Sequence, residues 1–199
     1  MKNLIAALSC FIFPNFIFAQ EHSGEYINGL KLAYNNTSKK ITGYFEGYSG
    51  WDEQSKTAQF SCIFYIEGTL NGKKASINTY YPEEKADDQI DGSLEIIGNN
   101  LVQIKLSDEH GGCWNVQHFM DETVRFELEK AQHWVEIRYV NSEKSYFHSE
   151  KSADAKLKSY LVKGNVICIE KIESGWALCS YFGKKTTRGW IKTADLNTL

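Results

Sequence analysis

The densest group of reactive side chains lies between residues 108 and 118. Residues 108–115 read Asp-Glu-His-Gly-Gly-Cys-Trp-Asn, and His118 follows three residues later. A cysteine between two histidines has the residue types of a thiolate nucleophile with a general base. The acids and histidines are also metal-binding residue types, although their spacing matches no familiar site. Nucleophilic catalysis and metal binding must therefore be weighed against a purely structural role for this segment.

The start of the chain has the pattern of a secretory signal peptide. Lys2 supplies a positive charge, residues 4–13 are apolar, and residues 17–19 form an acceptable cleavage site. We predict a signal peptide at residues 1–19 and an exported chain, periplasmic or secreted, with no membrane segment after the signal is removed. Removal takes away Lys2 and no acid, so the formal charge falls from −3 to −4. Such a charge provides no attraction for nucleic acid or an anionic membrane.

Export favours a structural role for the cysteines. Four cysteines remain after residue 19, and four allow three disulfide connectivities. The connectivity that stays within the predicted domains pairs Cys62 with Cys113, and Cys168 with Cys179. A bonded Cys113 is no nucleophile, so we expect no catalytic residue. Because the spacing of the acids and histidines matches no familiar site, we also expect no metal, and no motif indicates a cofactor. Residues 108–118 are then predicted to form a disulfide-anchored turn with Trp114 packed on it.

The second cysteine pair leaves two outcomes open. Cys168 and Cys179 flank a predicted hairpin turn at residues 173–175. A two-residue turn would place both on one face of the hairpin, where they could bond. A bulge at Gly175 would place them on opposite faces, as small buried apolar residues.

The elements that position these residues are predicted to be β-strands. Segments rich in β-formers alternate with turn signals, and a single first strand is expected at residues 26–34. Asn71-Gly72 predicts a type I′ hairpin. Seven to nine short strands and no βαβ alternation favour an all-β fold, with an antiparallel meander closed as a barrel or sandwich at residues 20–135. The sequence assigns no function to this domain.

A second all-β pattern occupies the last third of the chain. Its turn and strand motifs are Lys163-Gly164-Asn165, Gly175-Trp176, Gly189-Trp190-Ile191 and Asp195-Leu196. Together they resemble the bacterial SH3-like (SH3b) domain over residues 136–196. The resemblance implies a small SH3-like barrel at residues 136–199 that binds cell-wall peptide or another protein and does not catalyse. The long lysine-rich segment at residues 149–159 departs from the family pattern and leaves the ligand type open.

Aromatic residues on these short strands are the candidate ligand contacts. Half-exposed aromatic rings have flat apolar faces and polar edges that suit sugars and short peptides. Tyr160 and Trp190 are interpreted as core residues. The predicted ligand-binding residues are Tyr146, His148, Trp176 and Tyr181. The first hypothesis is thus an exported, non-enzymatic binding protein whose partner is peptidoglycan peptide or a protein.

Two other hypotheses follow from different residues. Acidic side chains in predicted loops would suit a basic protein partner, such as a lysozyme-type enzyme. The second hypothesis is therefore an inhibitor or immunity protein against a secreted wall hydrolase. A third hypothesis, a cysteine enzyme or wall hydrolase, requires reduced Cys113. The acidic loop residues are Asp52, Glu53, Glu83, Glu84, Asp87 and Asp88.

Overall fold

The protein consists of two antiparallel sheets. The computed structural model describes residues 22–82, 84–85 and 89–199, so the predicted signal peptide lies outside the described residues. One sheet is a closed barrel, and the other has six strands. The predicted all-β fold is confirmed. Within the described ranges, no helix has the length and apolar character needed to cross a lipid bilayer.

Eight strands form the barrel in the order of the sequence, and the last pairs with the first to close it. Of the two predicted forms, barrel and sandwich, the barrel is observed. An eight-stranded barrel has an interior that side chains just fill. The strands are β1 (Gly24–Tyr26), β2 (Leu30–Tyr34), β3 (Lys40–Asp52), β4 (Thr57–Asn71), β5 (Lys74–Tyr80), β6 (Ile90–Ile96), β7 (Leu101–Leu106) and β8 (Val124–Ala131).

Four phenylalanines fill the middle of the barrel. The rings of Phe45 and Phe64 stack with their centroids 5.2 Å apart, and Phe119 meets each of them edge-on at 5.0 Å. Phe126 packs against Phe45 at 5.8 Å. Phe119 comes from the connection at residues 107–123 and not from a strand. This connection therefore seals one end of the barrel by inserting an aromatic ring into the core.

Two turns differ from their predictions. The single strand expected at residues 26–34 is interrupted by Asn28 (φ 61°) and Gly29 (φ 87°), and a Cβ at Gly29 would lie 2.1 Å from the Glu46 carbonyl oxygen. The break creates the short β1, which closes the barrel. At the β4–β5 hairpin the central residues are Gly72 and Lys73, because Asn71 pairs with Lys74. Only Gly72 has a positive φ (64°), which fits a type II′ turn and not the predicted type I′.

The second sheet has the strand order β11-β10-β14-β13-β12-β9. Its strands are β9 (Glu136–Tyr139), β10 (Lys144–His148), β11 (Lys156–Val162), β12 (Val166–Glu173), β13 (Trp176–Phe182) and β14 (Thr186–Lys192). Apolar side chains at alternate positions of these strands form a separate core. This core contains Val140, Phe147, Leu161, Ile167, Ile169, Ala177, Cys179, Ile191 and Leu196.

The barrel covers the open edge of the second sheet. β9 is an edge strand, and an unpaired edge exposes backbone donors and acceptors. Here the Ile137 amide donates to the Thr42 hydroxyl at 2.7 Å, and the Tyr65 hydroxyl donates to the Ile137 carbonyl at 2.6 Å. A third buried cluster surrounds these bonds and contains Ala33, Tyr65, Tyr80, Trp134, Ile137, Tyr139 and Cys168. The two sheets thus share apolar core and hydrogen bonds.

Candidate functional site

The segment at residues 108–118 is tied to the barrel by a disulfide. Cys113 bonds Cys62 of β4, which confirms the predicted pairing, and Cys113 is only 1% exposed. A bonded, buried sulfur has no thiolate to act as a nucleophile. The structure thus contradicts the cysteine-enzyme hypothesis at Cys113.

The other polar residues of this segment brace the end of the barrel. His110 is buried, stacks on Phe64 at 5.1 Å, and places its Nε2 atom 2.8 Å from the Thr79 hydroxyl. The Glu109 carboxylate accepts hydrogen bonds from the backbone amides of Phe119 and Met120. In the part of the chain that the structure describes, no three histidine, cysteine, aspartate or glutamate side chains are grouped to hold a metal ion.

Trp114 does not pack on the turn as predicted. Its side chain is 56% exposed and contacts the edge of His118 at 4.6 Å between centroids. The backbone is set instead by Gly112, with φ at 84°, where a Cβ would lie 2.4 Å from the Ser61 carbonyl oxygen. Only glycine tolerates both this torsion and this close approach. Trp114 is therefore left at the surface beside the disulfide.

Of the two outcomes left open for Cys168 and Cys179, the unbonded one is observed, and both residues are free and buried. The turn between β12 and β13 has two residues, because Glu173 pairs with Trp176, but a bulge between Ile169 and Lys171 shifts the register. Cys179 then pairs with Ile169 and points into the core of the second sheet, whereas Cys168 points toward the barrel. Residues on opposite faces of a sheet cannot bond.

This arrangement predicts the thiol count. Burial raises the pKa of Cys179 to about 12 and also raises the pKa of Cys168, so neither forms much thiolate at neutral pH. We expect the non-reduced chain from residue 20 to take up two alkyl groups after denaturation and almost none when native. Mass spectrometry after iodoacetamide treatment measures this. Four modified cysteines before reduction would contradict the Cys62–Cys113 bond, and none would indicate a second one.

Three of the four predicted ligand-binding residues share one surface. On β10, Tyr146 and His148 lie on the side of the strand opposite to Phe147, which is in the core. Tyr146 is partly exposed, whereas His148 is only 6% exposed and its Nδ1 atom lies 2.8 Å from the Ser152 carbonyl oxygen. His148 contacts the edge of the Trp176 ring at 4.8 Å. The surface also includes Tyr160, which pairs with Tyr146, and Trp190, which pairs with His148. We call these five rings and the lysines beside them the aromatic face.

Four lysines place their ammonium groups over the rings of this face. Their contacts are Lys144 with Tyr160 at 3.7 Å, Lys156 with Tyr146 at 3.5 Å, Lys151 with Trp190 at 5.4 Å and Lys192 with Trp176 at 5.9 Å. Lys144 is also hydrogen-bonded to Tyr146, which raises the pKa of the lysine and lowers that of the tyrosine. Cation–π contacts hold ammonium groups in place without neutralising them.

Lys151 is the lysine of this face that also has an ion pair. It contacts Glu173 at 2.6 Å, and Glu173 in addition pairs with Lys171. Within the described ranges, Lys144, Lys156 and Lys192 have no carboxylate partner. The aromatic face therefore combines flat rings with uncompensated positive charge, which suits an anionic ligand with apolar groups.

Tyr181 lies apart from the other three predicted residues. It packs against the core of the second sheet from the face opposite to Trp176, and it lines a cleft of about 210 Å³ between the two sheets. Lys31 and Tyr44 of the barrel line the same cleft. The alternation of side chains along β13 separates Tyr181 from Trp176, which is five residues away. The structure does not bring Tyr181 into the aromatic face.

Sequence reasoning missed several members of the aromatic face. Tyr160, interpreted as core, is 49% exposed, and Trp190 is half-buried on the outer side. The available signal was the period of two, because Trp190 precedes buried Ile191 and Tyr160 precedes buried Leu161. Apart from Lys144, which lies two residues before Tyr146 on β10, the lysines could not be assigned to the rings, because they approach them from other strands and from the 149–155 loop.

Comparisons of the chain with protein-family models, curated proteins and solved structures found no significant match. The SH3b resemblance therefore rests on the motifs of residues 136–196 alone. The fold and the site together define the class of protein as a two-sheet β-protein with an aromatic, lysine-rich face.

Proposed function

We propose that the protein is an exported, non-catalytic binding protein, and that its aromatic face contacts carboxylate-bearing peptide of the cell wall. The observation that carries the proposal is the set of lysine ammonium groups held over Tyr146, Tyr160 and Trp176 without carboxylate partners. Wall peptides carry free carboxylates and small apolar side chains. The first would bind the ammonium groups, and the second would pack on the rings.

Two sequence features and one structural feature support this assignment. The motifs of residues 136–196 resemble SH3b modules, which are binding modules. The N-terminal pattern predicts export, and the Cys62–Cys113 disulfide is compatible with an oxidising compartment outside the cytoplasm. The proposal gives the barrel the role of a scaffold that covers the edge of the second sheet.

Replacing Trp176 by alanine should weaken wall binding by on the order of tenfold or more, because aromatic anchors dominate binding energy. The measurement is co-sedimentation of residues 20–199 with purified peptidoglycan sacculi. Trp176 is only half-buried, so the variant should keep its far-UV circular dichroism spectrum and unfold cooperatively. Tyr160→Ala removes a more exposed ring of the same face and provides a second variant if Trp176→Ala does not fold.

Controls separate the aromatic face from other surfaces. Trp114→Ala, which removes an equally large exposed ring from the barrel, should sediment like the wild type. Lys156→Ala should weaken binding and its dependence on salt. Failure of the wild type to sediment contradicts wall binding and favours a protein ligand for this face. Equal sedimentation of wild type and both ring variants contradicts the proposed location.

A further inference from the structure

The hairpin of β3 and β4 extends beyond the barrel. β2 pairs with β3 only as far as Phe45, and β5 pairs with β4 only as far as Tyr65. Residues 46–63 continue as a paired hairpin, from Glu46 opposite Ile63 to Asp52 opposite Thr57. We call these residues the arm. At the usual rise of an antiparallel strand, the arm projects roughly 20 Å from the point where its neighbouring strands end.

Large aromatic rings lie exposed along the arm. Tyr48 is 57% exposed, Trp51 59% and Phe60 40%. They line a concave surface of about 470 Å³ together with the other residues of the 56–61 segment. Trp51 pairs with Ala58 and Phe60 with Ser49, so both occupy positions that face the interior where the barrel is closed. Tyr48 pairs with Ser61 and occupies an outward-facing position of the same hairpin. The arm therefore carries the apolar side of the barrel wall into solvent, and clustered exposed rings mark interaction sites.

The base of the arm is held rigidly. The Ser49 hydroxyl donates to the Asn115 carbonyl at 2.6 Å. Val116 packs so closely on Gly47 that a Cβ there would lie 2.9 Å from it. The disulfide joins the same segment to β4 at Cys62. An arm anchored at its base loses less conformational entropy on binding than a loop without such contacts, so the anchoring favours docking into a preformed partner surface.

The charge around the arm indicates which partner fits. Connections alternate between the two ends of a meander, so the loops after β3, β5 and β7 lie at the arm end. With the arm tip, the described parts of these loops carry seven carboxylates and two lysines. The turns at the other end, residues 35–39, 72–73 and 97–100, carry two lysines and no acid. The arm-end acids are Asp52, Glu53, Glu84, Asp108, Glu109, Asp121 and Glu122.

We propose that the arm docks into a concave surface of a cationic protein. The rings of Trp51 and Phe60 form the centre of the interface, Tyr48 lies at its margin, and the surrounding carboxylates form its charged rim. A second copy of this chain would bring two acidic ends together, and an anionic membrane would repel the same end. This inference concerns a different surface from the aromatic face and is independent of wall binding.

A photo-crosslinking residue at position 51 tests the proposal in the cells that make the protein. The full chain carries p-benzoylphenylalanine in place of Trp51, and mass spectrometry identifies the adducts formed on irradiation. The matched control carries the same residue at position 160, which is similarly exposed but lies on the aromatic face. We expect position 51, and not position 160, to crosslink a protein with a net positive charge at pH 7.

Binding measurements with the purified partner then test the aromatic centre and the charged rim of the interface separately. Trp51→Ala should weaken the affinity of the protein for this partner on the order of 30-fold, as expected for an aromatic anchor that becomes buried in the complex. Asp121→Asn combined with Glu122→Gln should mainly slow association, and raising salt from about 0.05 to 0.3 M should do the same. Tyr160→Ala should bind this partner like the wild type. If the partner is a wall hydrolase, inhibition of its activity by the wild type and not by Trp51→Ala would define the protein as its inhibitor.

Several outcomes overturn the proposal. They are an adduct with a second copy of the chain, with a lipid, or with a neutral or acidic protein, and the absence of any adduct specific to position 51. Equal affinity of the wild type and Trp51→Ala for the crosslinked partner also overturns it. None of these results bears on sedimentation with sacculi, so the two proposals fail or stand separately.

Discussion

Replacing Cys62 and Cys113 together by alanine is expected to lower the free energy of unfolding by about 4 kcal/mol. The bond closes a loop with a sequence separation of 51, and the chain-entropy relation gives this magnitude for a loop of that length. The loss should also release the connection at residues 107–123, which inserts Phe119 into the barrel core. Urea unfolding of the chain from residue 20, followed by circular dichroism, measures the change.

Reduction of the wild type provides the matched control for this prediction. Wild-type protein unfolded in the presence of a reductant should have the same midpoint as the alanine variant, since both lack the bond. The Cys168→Ala variant keeps the disulfide and should lose much less stability. A difference below about 1 kcal/mol between oxidised wild type and the double variant would contradict a stabilising bond.

Replacing Trp134 by alanine should lower the free energy of unfolding by about 3–5 kcal/mol, the range for removing a large buried aromatic side chain. Trp134 lies in the link between β8 and β9, is 2% exposed, and belongs to the cluster shared by the two sheets. Its ring also contacts Phe182 of β13 at 5.7 Å. The cavity would weaken the contact between barrel and second sheet, so unfolding should become less cooperative. Urea unfolding monitored by fluorescence and by circular dichroism reports both effects.

A second tryptophan provides the comparison for this effect. Trp51→Ala removes the same side chain from an exposed site, so its effect on stability should stay within about 0.5 kcal/mol. Coincident transitions for the wild type and separated transitions for Trp134→Ala would indicate that the shared cluster couples the two sheets. Separate transitions in the wild type, or a loss below about 1 kcal/mol in the variant, would show that it does not.

Local patterns predicted much of the fold. Alternating apolar residues and turn signals indicated an all-β meander before residue 135 and further short strands after it. The same reasoning missed the break at Asn28-Gly29, although this dipeptide is itself a turn signal. The break matters because it creates β1, which pairs with β8 to close the barrel. Closure joins residues about a hundred positions apart, and no local pattern specifies such a pairing.

The two candidate surfaces, the aromatic face and the arm, were also predictable from the sequence only in part. The sequence proposed Tyr146, His148 and Trp176 as ligand contacts, and the structure places all three on the aromatic face, Tyr146 and Trp176 partly exposed and His148 buried. It placed Tyr181 with them, but the side-chain alternation on β13 directs that ring to the opposite side. The arm was not predicted. Its exposure depends on where β2 and β5 end beside β3 and β4, and only the register of the barrel sets those ends.

The sequence by itself determined the residue types, the strand period and most turns, since these depend on neighbours in the chain. It also restricted the disulfides to three connectivities. Only the tertiary structure decided which cysteines bond, because the bulge between Ile169 and Lys171 places Cys168 and Cys179 on opposite faces. Likewise, only the meander topology gathers the acidic loops around the arm. A shift of one residue in register reverses the direction of a side chain, and register is fixed by contacts between distant segments.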